Sequence, residues 1–390
     1  MEPSILQTAC GVLLASVVVL LALVARHLPL LSVLDRALLS DLIVQHPSPL
    51  ARHPVSGSLT LNPLAFDVFE DGERRHAYGA TREELNADRL YVITGSSSGI
   101  GLALAQKLEG LVGVERVVYA VRSPKKVLDF FEKNGRSQSK RHVMRLDLNS
   151  LQSVLDFTLN FSQDLRRGRF PLLGPTHLGR RVVLVNNAGV SWHPERRLTE
   201  DGLEEQFQSN VLGHYLLTRV LLEQGLLRHV VHTSSVAYHM GKMPSADVAG
   251  GELEWAKRVA TDFHVNKYSD TKFMNVLFSN SIARRFPDVS SVAVHPGMVA
   301  TDILKEIGLA TTALHLVSSL SRALILPPDE AANTMLYAIF PCSGVQGGYV
   351  SDMRLWPMNA RALDEGTQDV LWNACEILVR SYLEIARKAL

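Results

Sequence analysis

The chain has few cysteines and almost no excess charge of either sign. Its three cysteines among 390 residues are Cys10, Cys342 and Cys375, which are too few and too scattered for a disulfide framework or a zinc site. The 40 basic residues nearly balance the 39 acidic ones, so the chain lacks the basic field that binds nucleic acid. Internal repeats and low-complexity tracts are also missing. The sequence therefore predicts no metal site and no nucleic-acid partner.

What the sequence does contain is an alternation of short apolar runs and helical patterns, in a composition that is 46% hydrophobic and 20% charged. We predict strands at 90–94, 116–121, 142–146, 182–186, 229–234, 291–295 and 347–351. We predict helices at 100–110, 124–133, 150–166, 200–223, 266–286, 302–325, 328–340 and 361–388. Strands that are nearly all apolar and alternate with helices indicate an α/β fold, a doubly wound parallel sheet of the Rossmann type.

The N-terminus carries a long uncharged stretch. Residues 5–25 are 21 positions without a charge, long enough to span a bilayer as a helix. A cleaved signal peptide is the alternative. The first region of a signal peptide normally carries positive charge, whereas the only charged side chain before the stretch here is the acidic Glu2. We therefore expect a transmembrane anchor at 5–25, a connector at 26–88 and a single globular domain at 89–390.

Basic residues follow the apolar stretch. Arg26, His27 and Arg36 lie on its C-terminal side. Positive charge is enriched on the cytoplasmic side of membrane helices. The expected orientation therefore places the globular domain in the cytosol.

A glycine-rich turn follows the first predicted strand. Three glycines stand between this strand and the next predicted helix: Gly95, Gly99 and Gly101. A strand that runs through such a turn into a helix is the context of a phosphate-binding loop. Gly95 permits the tight turn, Gly99 lets the backbone approach a pyrophosphate, and Gly101 lets the helix pack closely on the strand. The G-x-x-x-G-x-G spacing differs from the dinucleotide fingerprint G-x-G-x-x-G, and an ordinary glycine-rich turn is the alternative.

Tyr268 and Lys272 lie four residues apart in a predicted helix. This spacing puts a phenol and an ammonium on one helical face. The ammonium favours the phenolate, so the tyrosine could exchange a proton nearer neutral pH. The pattern is common by itself, and its meaning depends on the other motifs.

Six motifs in order resemble those of the short-chain dehydrogenase/reductase family. They are TGSSSGIG at 94–101, NNAG at 186–189, Asn210 in QSNVLGHYLLT, Ser235 in VVHTSSVAYH, the Tyr268–Lys272 pair, and HPGMVATD with its PGxxxT turn at 296–301. Their order is similar to that of the membrane-anchored retinol-dehydrogenase-like and steroid-dehydrogenase-like branch. An epimerase-type relative would need a G-x-x-G-x-x-G loop, which the sequence does not have.

The resemblance implies transfer of a hydride between a nicotinamide cofactor and an alcohol or carbonyl. It implies four catalytic residues: Asn210, Ser235, Tyr268 and Lys272. Tyr268 would exchange a proton with the substrate oxygen, and Ser235 would hydrogen-bond to the same atom. Lys272 would lower the pKa of Tyr268 and hold the nicotinamide ribose, and Asn210 would fix a water that links Lys272 to solvent. Ser234 is the alternative to Ser235, which we prefer because the family's catalytic serine is the second of such a pair.

The residues expected to bind the cofactor come from the same motifs. They are Gly95, Ser97, Ser98, Gly99, Ile100, Gly101, Arg122, Asp147, Asn187, Ala188, Gly189, Tyr268, Lys272, Pro296, Gly297, Val299 and Thr301. Asp147 matches the family aspartate that accepts a hydrogen bond from the adenine amino group. A helix N-cap is the alternative role for Asp147, and the two roles are compatible.

The end of the second predicted strand bears on the choice of cofactor. An acidic residue there would bind the ribose 2′-hydroxyl and select NAD. Val121 and Arg122 occupy this place instead, with Lys125 and Lys126 just beyond. Since a guanidinium can stack on adenine and pair with a 2′-phosphate, we expect NADP(H). The alternative is a solvated basic start of a helix.

Two segments bear on the substrate. Between Ser235 and Tyr268 lie 32 residues, more than is usual in the family and similar to its retinol-dehydrogenase-like members, and we expect them to line the substrate mouth. Residues 308–328 are largely apolar and form either a buried helix pair or a membrane-lying segment that admits a lipid. We therefore expect a lipophilic substrate, such as a retinoid, sterol, steroid or polyprenyl compound.

One alternative function is a catalytically silent reductase-like protein that binds nucleotide or acts as a scaffold. Loss of Ser235, Tyr268 or Lys272 would indicate it, and all three are present. The resemblance further implies a membrane location, in the endoplasmic reticulum, with the catalytic domain facing the cytosol. It leaves open a homodimer through the helices that bear Asn210 and Tyr268, which a C-terminal extension could block.

Overall fold

A computed structural model of the chain describes residues 89–111, 114–135, 140–170, 182–191, 195–243, 251–264, 266–297, 299, 326–340 and 342–390. Among these residues, no helix is both long enough and apolar enough to cross a membrane. The predicted anchor at 5–25, the connector at 26–88, the predicted helix at 302–325 and Thr301 lie outside the described residues.

A mixed sheet forms the centre of the described part of the chain. Its strands are β1 (Arg89–Thr94), β2 (Val114–Val121), β3 (Arg141–Arg145), β4 (Val182–Asn186), β5 (Leu227–Thr233), β6 (Ser290–His295), β7 (Gln346–Ser351) and β8 (Arg354–Trp356). They are ordered β3-β2-β1-β4-β5-β6-β7-β8, and only β8 runs antiparallel to its neighbour. The order reverses between β1 and β4, where a doubly wound sheet opens its ligand crevice. The predicted Rossmann-type fold is confirmed.

Helices cover both faces of this sheet. They are α1 (Gly99–Glu109), α2 (Pro124–Lys133), α3 (Leu151–Arg166), α4 (Gly213–Glu223), α5 (Gly251–Thr261), α6 (Lys267–Arg285), α7 (Pro328–Ile339), α8 (Ala360–Leu363) and α9 (Glu365–Ala389). A short α-helical turn (Glu205–Phe207) and a π turn (Gln208–Leu212) precede α4, and a 3₁₀ turn (Val236–Met240) follows β5.

Alternate residues of β1 show how the sheet divides the core in two. Leu90 and Val92 pack with side chains of α3, α4, α6 and α9. Tyr91 and Ile93 pack on the opposite face with side chains of α1, α2 and α7. All four are at most 1% exposed, and burial of each such side chain stabilises the fold by about 1.5–3 kcal/mol. Burial on both faces explains why the strands read as continuous apolar runs.

Two predicted helices differ from the observed ones because caps interrupt them. The helix predicted at 200–223 begins only at residue 205, since Glu204 accepts a hydrogen bond from the N–H of Phe207 at 2.8 Å. The final helix predicted at 361–388 is divided into α8 and α9. Asp364 accepts a hydrogen bond from the N–H of Thr367 at 2.7 Å and so starts the second piece. In both places a carboxylate satisfies a free N–H of the first turn.

Two elements were not predicted. Helix α5 lies in the insertion between Ser235 and Tyr268, and its Trp255 and Val259 side chains are buried against the core. Strand β8 adds three residues to the sheet next to β7.

The C-terminal helix α9 lies against α4 and α6. The Trp372 ring packs 5.1 Å from the Tyr215 ring and 5.9 Å from the Phe278 ring, centroid to centroid. The Tyr215 hydroxyl donates a hydrogen bond to Glu376 at 2.8 Å. The resemblance allows a homodimer that would form through these two helices. Helix α9 covers part of their outer surface.

Candidate active site

A cavity of about 500 Å³ opens where the carboxyl ends of β1, β4 and β5 meet. Its volume is typical of a small-molecule site. Most of the predicted site residues line it: Gly95, Ser97, Ser98, Gly99, Ile100, Gly101, Arg122, Asp147, Asn187, Ala188, Gly189, Ser235, Tyr268, Lys272, Pro296, Gly297 and Val299. Asn210 lies outside the wall.

The glycine loop packs directly on the NNAG segment. Gly95 has φ of +68°, and a Cβ there would lie 2.9 Å from the Cα of Ala188. A Cβ at Gly101 would lie 2.5 Å from the side-chain nitrogen of Asn187 and 2.6 Å from the carbonyl oxygen of Gly95. The glycines therefore let the loop pack closely on the NNAG segment, and α1 starts at the cavity with no acidic residue in its first turn. The free N–H groups of such a helix start fit the phosphates of a dinucleotide.

Two basic side chains stand at the β2 side of the cavity. Arg122 follows β2, and both Arg122 and Lys126 line the wall. Lys125, the third residue of the predicted basic group, pairs with Asp129 at 2.7 Å and is not part of the wall. Two cationic side chains in a cavity wall are suited to bind a phosphate group.

Asp147 borders the cavity but does not cap the next helix. Its Oδ1 atom accepts a hydrogen bond from the N–H of Asn149 at 3.1 Å. The cap of α3 is Ser150, whose hydroxyl accepts the N–H of Ser153 at 3.2 Å. The N-cap alternative for Asp147 is therefore wrong.

Ser235, Tyr268 and Lys272 lie together in the cavity wall. All three side chains line the cavity, the Ser235 hydroxyl lies near enough to the Tyr268 hydroxyl to lower its pKa, and the Lys272 Nζ atom lies 5.4 Å from the centroid of the Tyr268 ring. Lys272 also donates to the carbonyl of Thr233 at 3.0 Å. The hydroxyl of Ser234 donates to the main-chain carbonyl of Lys272 at 2.8 Å and is buried. The Ser234 hydroxyl is thus used in a hydrogen bond to the main chain of α6, whereas the Ser235 hydroxyl accepts the N–H of Ala237 at 3.2 Å.

Burial controls the protonation of this pair. Loss of water raises the pKa of Tyr268 to about 12, and the neighbouring Ser235 hydroxyl only partly opposes the rise. Burial lowers the pKa of Lys272 to about 8. The direction for Tyr268 is opposite to the predicted effect of Lys272, since desolvation outweighs an ammonium that is held by the carbonyl of Thr233.

Asn210 lies behind the cavity wall and hydrogen-bonds to residues that neighbour it. Its Oδ1 atom accepts the N–H of Val190 at 2.8 Å, and its Nδ2 atom donates to the carbonyl of Val190 at 2.9 Å and to the hydroxyl of Thr271 at 3.0 Å. A Cβ at Gly189 would lie 3.1 Å from the Asn210 Oδ1 atom and 3.4 Å from the Lys272 Nζ atom. Both amide hydrogens of Asn210 are donated to protein groups, so the side chain fixes Val190 against α6.

Sequence reasoning missed Thr94 and His214, which connect these parts. The Thr94 hydroxyl accepts hydrogen bonds from the N–H groups of Asn187 and Ala188, both at 2.9 Å. It lies 2.9 Å from Nε2 of His214, whose Nδ1 atom lies 3.2 Å from the carbonyl oxygen of Asn210. The carbonyl requires a donor, so we assign the hydrogen to Nδ1 and the Thr94 hydroxyl donates to Nε2. The spacing of four residues between Asn210 and His214 was the available signal.

Known proteins that resemble this chain identify its family. A family model described as short chain dehydrogenase matches residues 89–247. Mouse retinol dehydrogenase 14 is 31% identical over 339 residues, which cover 81% of this chain and 93% of that protein. This chain belongs to the short-chain dehydrogenase/reductase family. The predicted retinol-dehydrogenase-like branch is also confirmed, since human retinol dehydrogenase 12 is 32% identical over 300 residues, 74% of this chain and 86% of its own.

Other members of the family differ in their described activity. A putative daunorubicin C-13 ketoreductase from Streptomyces is 30% identical over 293 residues, 73% of this chain and 91% of its own. Among solved structures, NADPH-bound carbonyl reductase from chicken fatty liver is 18% identical with a TM-score of 0.49, covering 70% of this chain and 100% of that one. Membership in the family makes this chain an oxidoreductase of the short-chain type.

Buried neutral histidines make the stability of this dehydrogenase depend on pH. Burial lowers the pKa of His214 and His229 from 6.5 to about 4, and that of His232 to about 3. Between pH 6.5 and 4 the unfolded chain binds protons that the folded chain does not, so the free energy of unfolding falls as the pH drops. The slope is at most about 1.4 kcal/mol per pH unit for each histidine.

Urea unfolding at pH 7, 6, 5 and 4 measures this effect, with His229→Asn and His229→Gln as the comparison. His229 lies in β5 outside the cavity wall and contacts the hydroxyl of Ser290 at 2.6 Å and the carbonyl of Ala338 at 2.9 Å. Both variants should lose stability less steeply than the unmodified protein as the pH falls. Parallel curves for all three proteins would show that His229 does not titrate on unfolding.

Proposed function

We propose that this dehydrogenase uses NADP(H) to interconvert the alcohol and carbonyl forms of a lipophilic substrate. The observation that carries the proposal is one cavity with two chemically distinct parts. Ser235, Tyr268 and Lys272 lie together in one part of its wall, and the glycine loop with Arg122 lies in another. The first part can exchange a proton with an oxygen atom, and the second can hold a phosphorylated nucleotide.

The residues present fit a dinucleotide. The N–H groups at the start of α1 would hold the pyrophosphate, Arg122 and Lys126 the 2′-phosphate, and Asp147 the adenine amino group. The segment 187–189 would form the floor under the adenosine ribose, Lys272 and Tyr268 would contact the nicotinamide ribose, and the turn that contains Pro296, Gly297, Val299 and Thr301 would complete the site. When bound, the nicotinamide supplies or accepts the hydride.

Tyr268 is suited to give a proton to the substrate oxygen during reduction. With a pKa of about 12, its phenol is protonated at neutral pH. An alkoxide is a much stronger base than this phenolate. The proton transfer from Tyr268 to the substrate oxygen is therefore favourable. The hydroxyl of Ser235 would donate a hydrogen bond to the same substrate oxygen and stabilise the negative charge on it.

Lys272 then stabilises the phenolate that the transfer leaves. With a pKa of about 8, its amine is mostly protonated at neutral pH. An ammonium this close to a desolvated ring interacts more strongly than it would in water. Asn210, in its buried position behind the wall, keeps the loop at Val190 against α6 and so maintains the distance between Lys272 and the cavity floor.

The apolar side chains near Ser235 support a lipophilic substrate. Val190, Val236, Ala237 and Met240 line the cavity beside the catalytic group. The similar retinol dehydrogenases 12 and 14 are named for a lipophilic alcohol. We therefore propose a retinoid, sterol, steroid or polyprenyl substrate.

We further propose that residues 5–25 anchor the enzyme in the endoplasmic reticulum membrane, that 26–88 form a connector, and that the domain at 89–390 faces the cytosol. The proposal is supported by the 21 uncharged positions of the first segment, which suffice to span a bilayer.

Replacing Tyr268 tests the proposed chemistry. Tyr268→Phe keeps the ring but removes the transferable proton, so kcat for NADPH-dependent reduction of all-trans-retinal, a ketosteroid or a polyprenal should fall by at least about 10²-fold. The Kd for NADPH should change by no more than a few-fold. Tyr337→Phe is the matched control, because its hydroxyl lies on α7 outside the cavity wall. Substantial activity in Tyr268→Phe would refute the role of this tyrosine.

Replacing Arg122 tests the choice of cofactor. Arg122→Glu puts a carboxylate where the 2′-phosphate is expected, so the ratio of kcat/KM for NADPH to that for NADH should fall by at least about tenfold. Lys125→Glu is the matched control, because it makes the same change of charge three residues away, at a side chain that is not part of the wall. An unchanged ratio in Arg122→Glu, or an equal change in both variants, contradicts the assignment.

Removing the first 27 residues tests the anchor. The full chain should stay in the membrane fraction after extraction with alkaline carbonate, and the shortened chain should appear in the supernatant. Retention of the shortened chain in the alkali-washed membranes would mean that the anchor lies elsewhere or is not the only one.

A further inference from the structure

The apolar part of the cavity wall depends on a turn that other segments hold in place. This is the 3₁₀ turn Val236–Met240, which starts directly after Ser235. Val236, Ala237 and Met240 line the cavity on the side of Ser235 and Tyr268. The position of this turn therefore sets how much room is left beside the reacting oxygen.

One side of the turn rests on α6. A Cβ at Gly241 would lie 2.5 Å from the Cβ of Phe273 and would overlap the carbonyl oxygen of Ser269, so the chain can approach α6 this closely only with glycine. The next N–H group, that of Lys242, donates to Asp270 at 2.8 Å. The end of the turn is thereby fixed close to Tyr268.

The other side is held by Arg361 in α8. Its Nη1 atom donates to the carbonyl of Gly241 at 2.9 Å, and its Nη2 atom donates to the carbonyl of His239 at 2.8 Å. The guanidinium also lies 5.2 Å from the centroid of the Phe273 ring. A guanidinium can donate two hydrogen bonds in a fixed fork, so one side chain determines the position of both carbonyls.

Helix α8, which carries Arg361, is held in position by hydrogen bonds from its neighbours. The carbonyl of Ala362 accepts hydrogen bonds from the side chains of Asn280 in α6 and Gln368 in α9, both at 3.0 Å. The N–H of Asn359 donates to the hydroxyl of Tyr238 within the turn at 3.3 Å. The C-terminal segment thus forms hydrogen bonds with the turn and the residue after it at three positions: Tyr238, His239 and Gly241.

We propose that Arg361 is a positioning residue that keeps Met240 at the cavity and so determines the affinity for the apolar part of the substrate. The inference rests on the proposed function, because it assigns the Met240 side of the cavity to a carbonyl substrate. Arg361 makes no contact with Ser235, Tyr268 or Lys272 in the hydrogen bonds of the described residues. Its loss should weaken substrate binding and leave the proton transfer intact.

The first experiment measures whether Arg361 holds the turn. Hydrogen exchange is compared in the full-length unmodified protein, Arg361→Ala, Arg361→Lys and Arg387→Ala. Arg387 is the matched control, since it is an exposed arginine that pairs with Glu223 at 2.6 Å, away from the turn. In Arg361→Ala the amide of Gly241, which donates to the carbonyl of Tyr238 at 3.0 Å, should exchange at least tenfold faster. In Arg361→Lys the exchange rate of this amide should lie between those of the unmodified protein and Arg361→Ala. An unchanged exchange rate in Arg361→Ala would overturn the proposal.

The second experiment measures the substrate with NADPH in excess. For all-trans-retinal, Arg361→Ala should raise KM at least fivefold and change kcat less than twofold; for the short aldehyde hexanal, KM should change less than twofold. A fall in kcat for both aldehydes, or equal increases in KM, would show a general structural defect and overturn the proposal. If the unmodified protein reduces neither of these aldehydes, nor a ketosteroid or a polyprenal, the proposed function and the substrate part of this inference both fail. The exchange experiment needs no turnover and still decides whether Arg361 holds the turn.

Discussion

The hydroxyl group of Thr94 is the contact on which the arrangement of the site depends. It stands at the end of β1 and accepts two N–H groups of the segment that follows β4, so it joins adjacent strands where the sheet order reverses. Its own hydrogen is directed to His214 in α4, which in turn holds the carbonyl of Asn210. A single buried hydroxyl thereby links the NNAG segment to helix α4 and, through His214, to Asn210. Buried networks of this kind specify one geometry because an unpaired member is costly.

Desolvation is the second constraint, and it acts on the same groups. The cavity wall brings a phenol and an amine out of water together, which raises the pKa of Tyr268 and lowers that of Lys272. Both shifts favour the uncharged pair, whereas their mutual attraction favours the ion pair. In this structure desolvation is the larger effect for Tyr268. The site therefore holds a proton that a strongly basic oxygen can take.

The sequence predicts which residues meet in the cavity wall better than it predicts the contacts that hold them there. Tyr268 and Lys272 are found from a four-residue spacing, because a helix converts that spacing into proximity. Arg361 has no such signal, since its two partners lie 120 and 122 positions away and the contact exists only in the folded chain. The π turn before α4 and the cap at Glu204 were missed for a related reason: local periodicity is the same with or without them, and tertiary contacts decide.

The C-terminal helix α9 covers α4 and α6 with side chains of the same chain. Such a surface is often covered by a second subunit, whose contribution to stability disappears on dilution. Here the covering segment is covalently attached, so its local concentration does not depend on how much protein is present. The packing of Trp372 on Tyr215 and Phe278 therefore does not depend on the concentration of the protein.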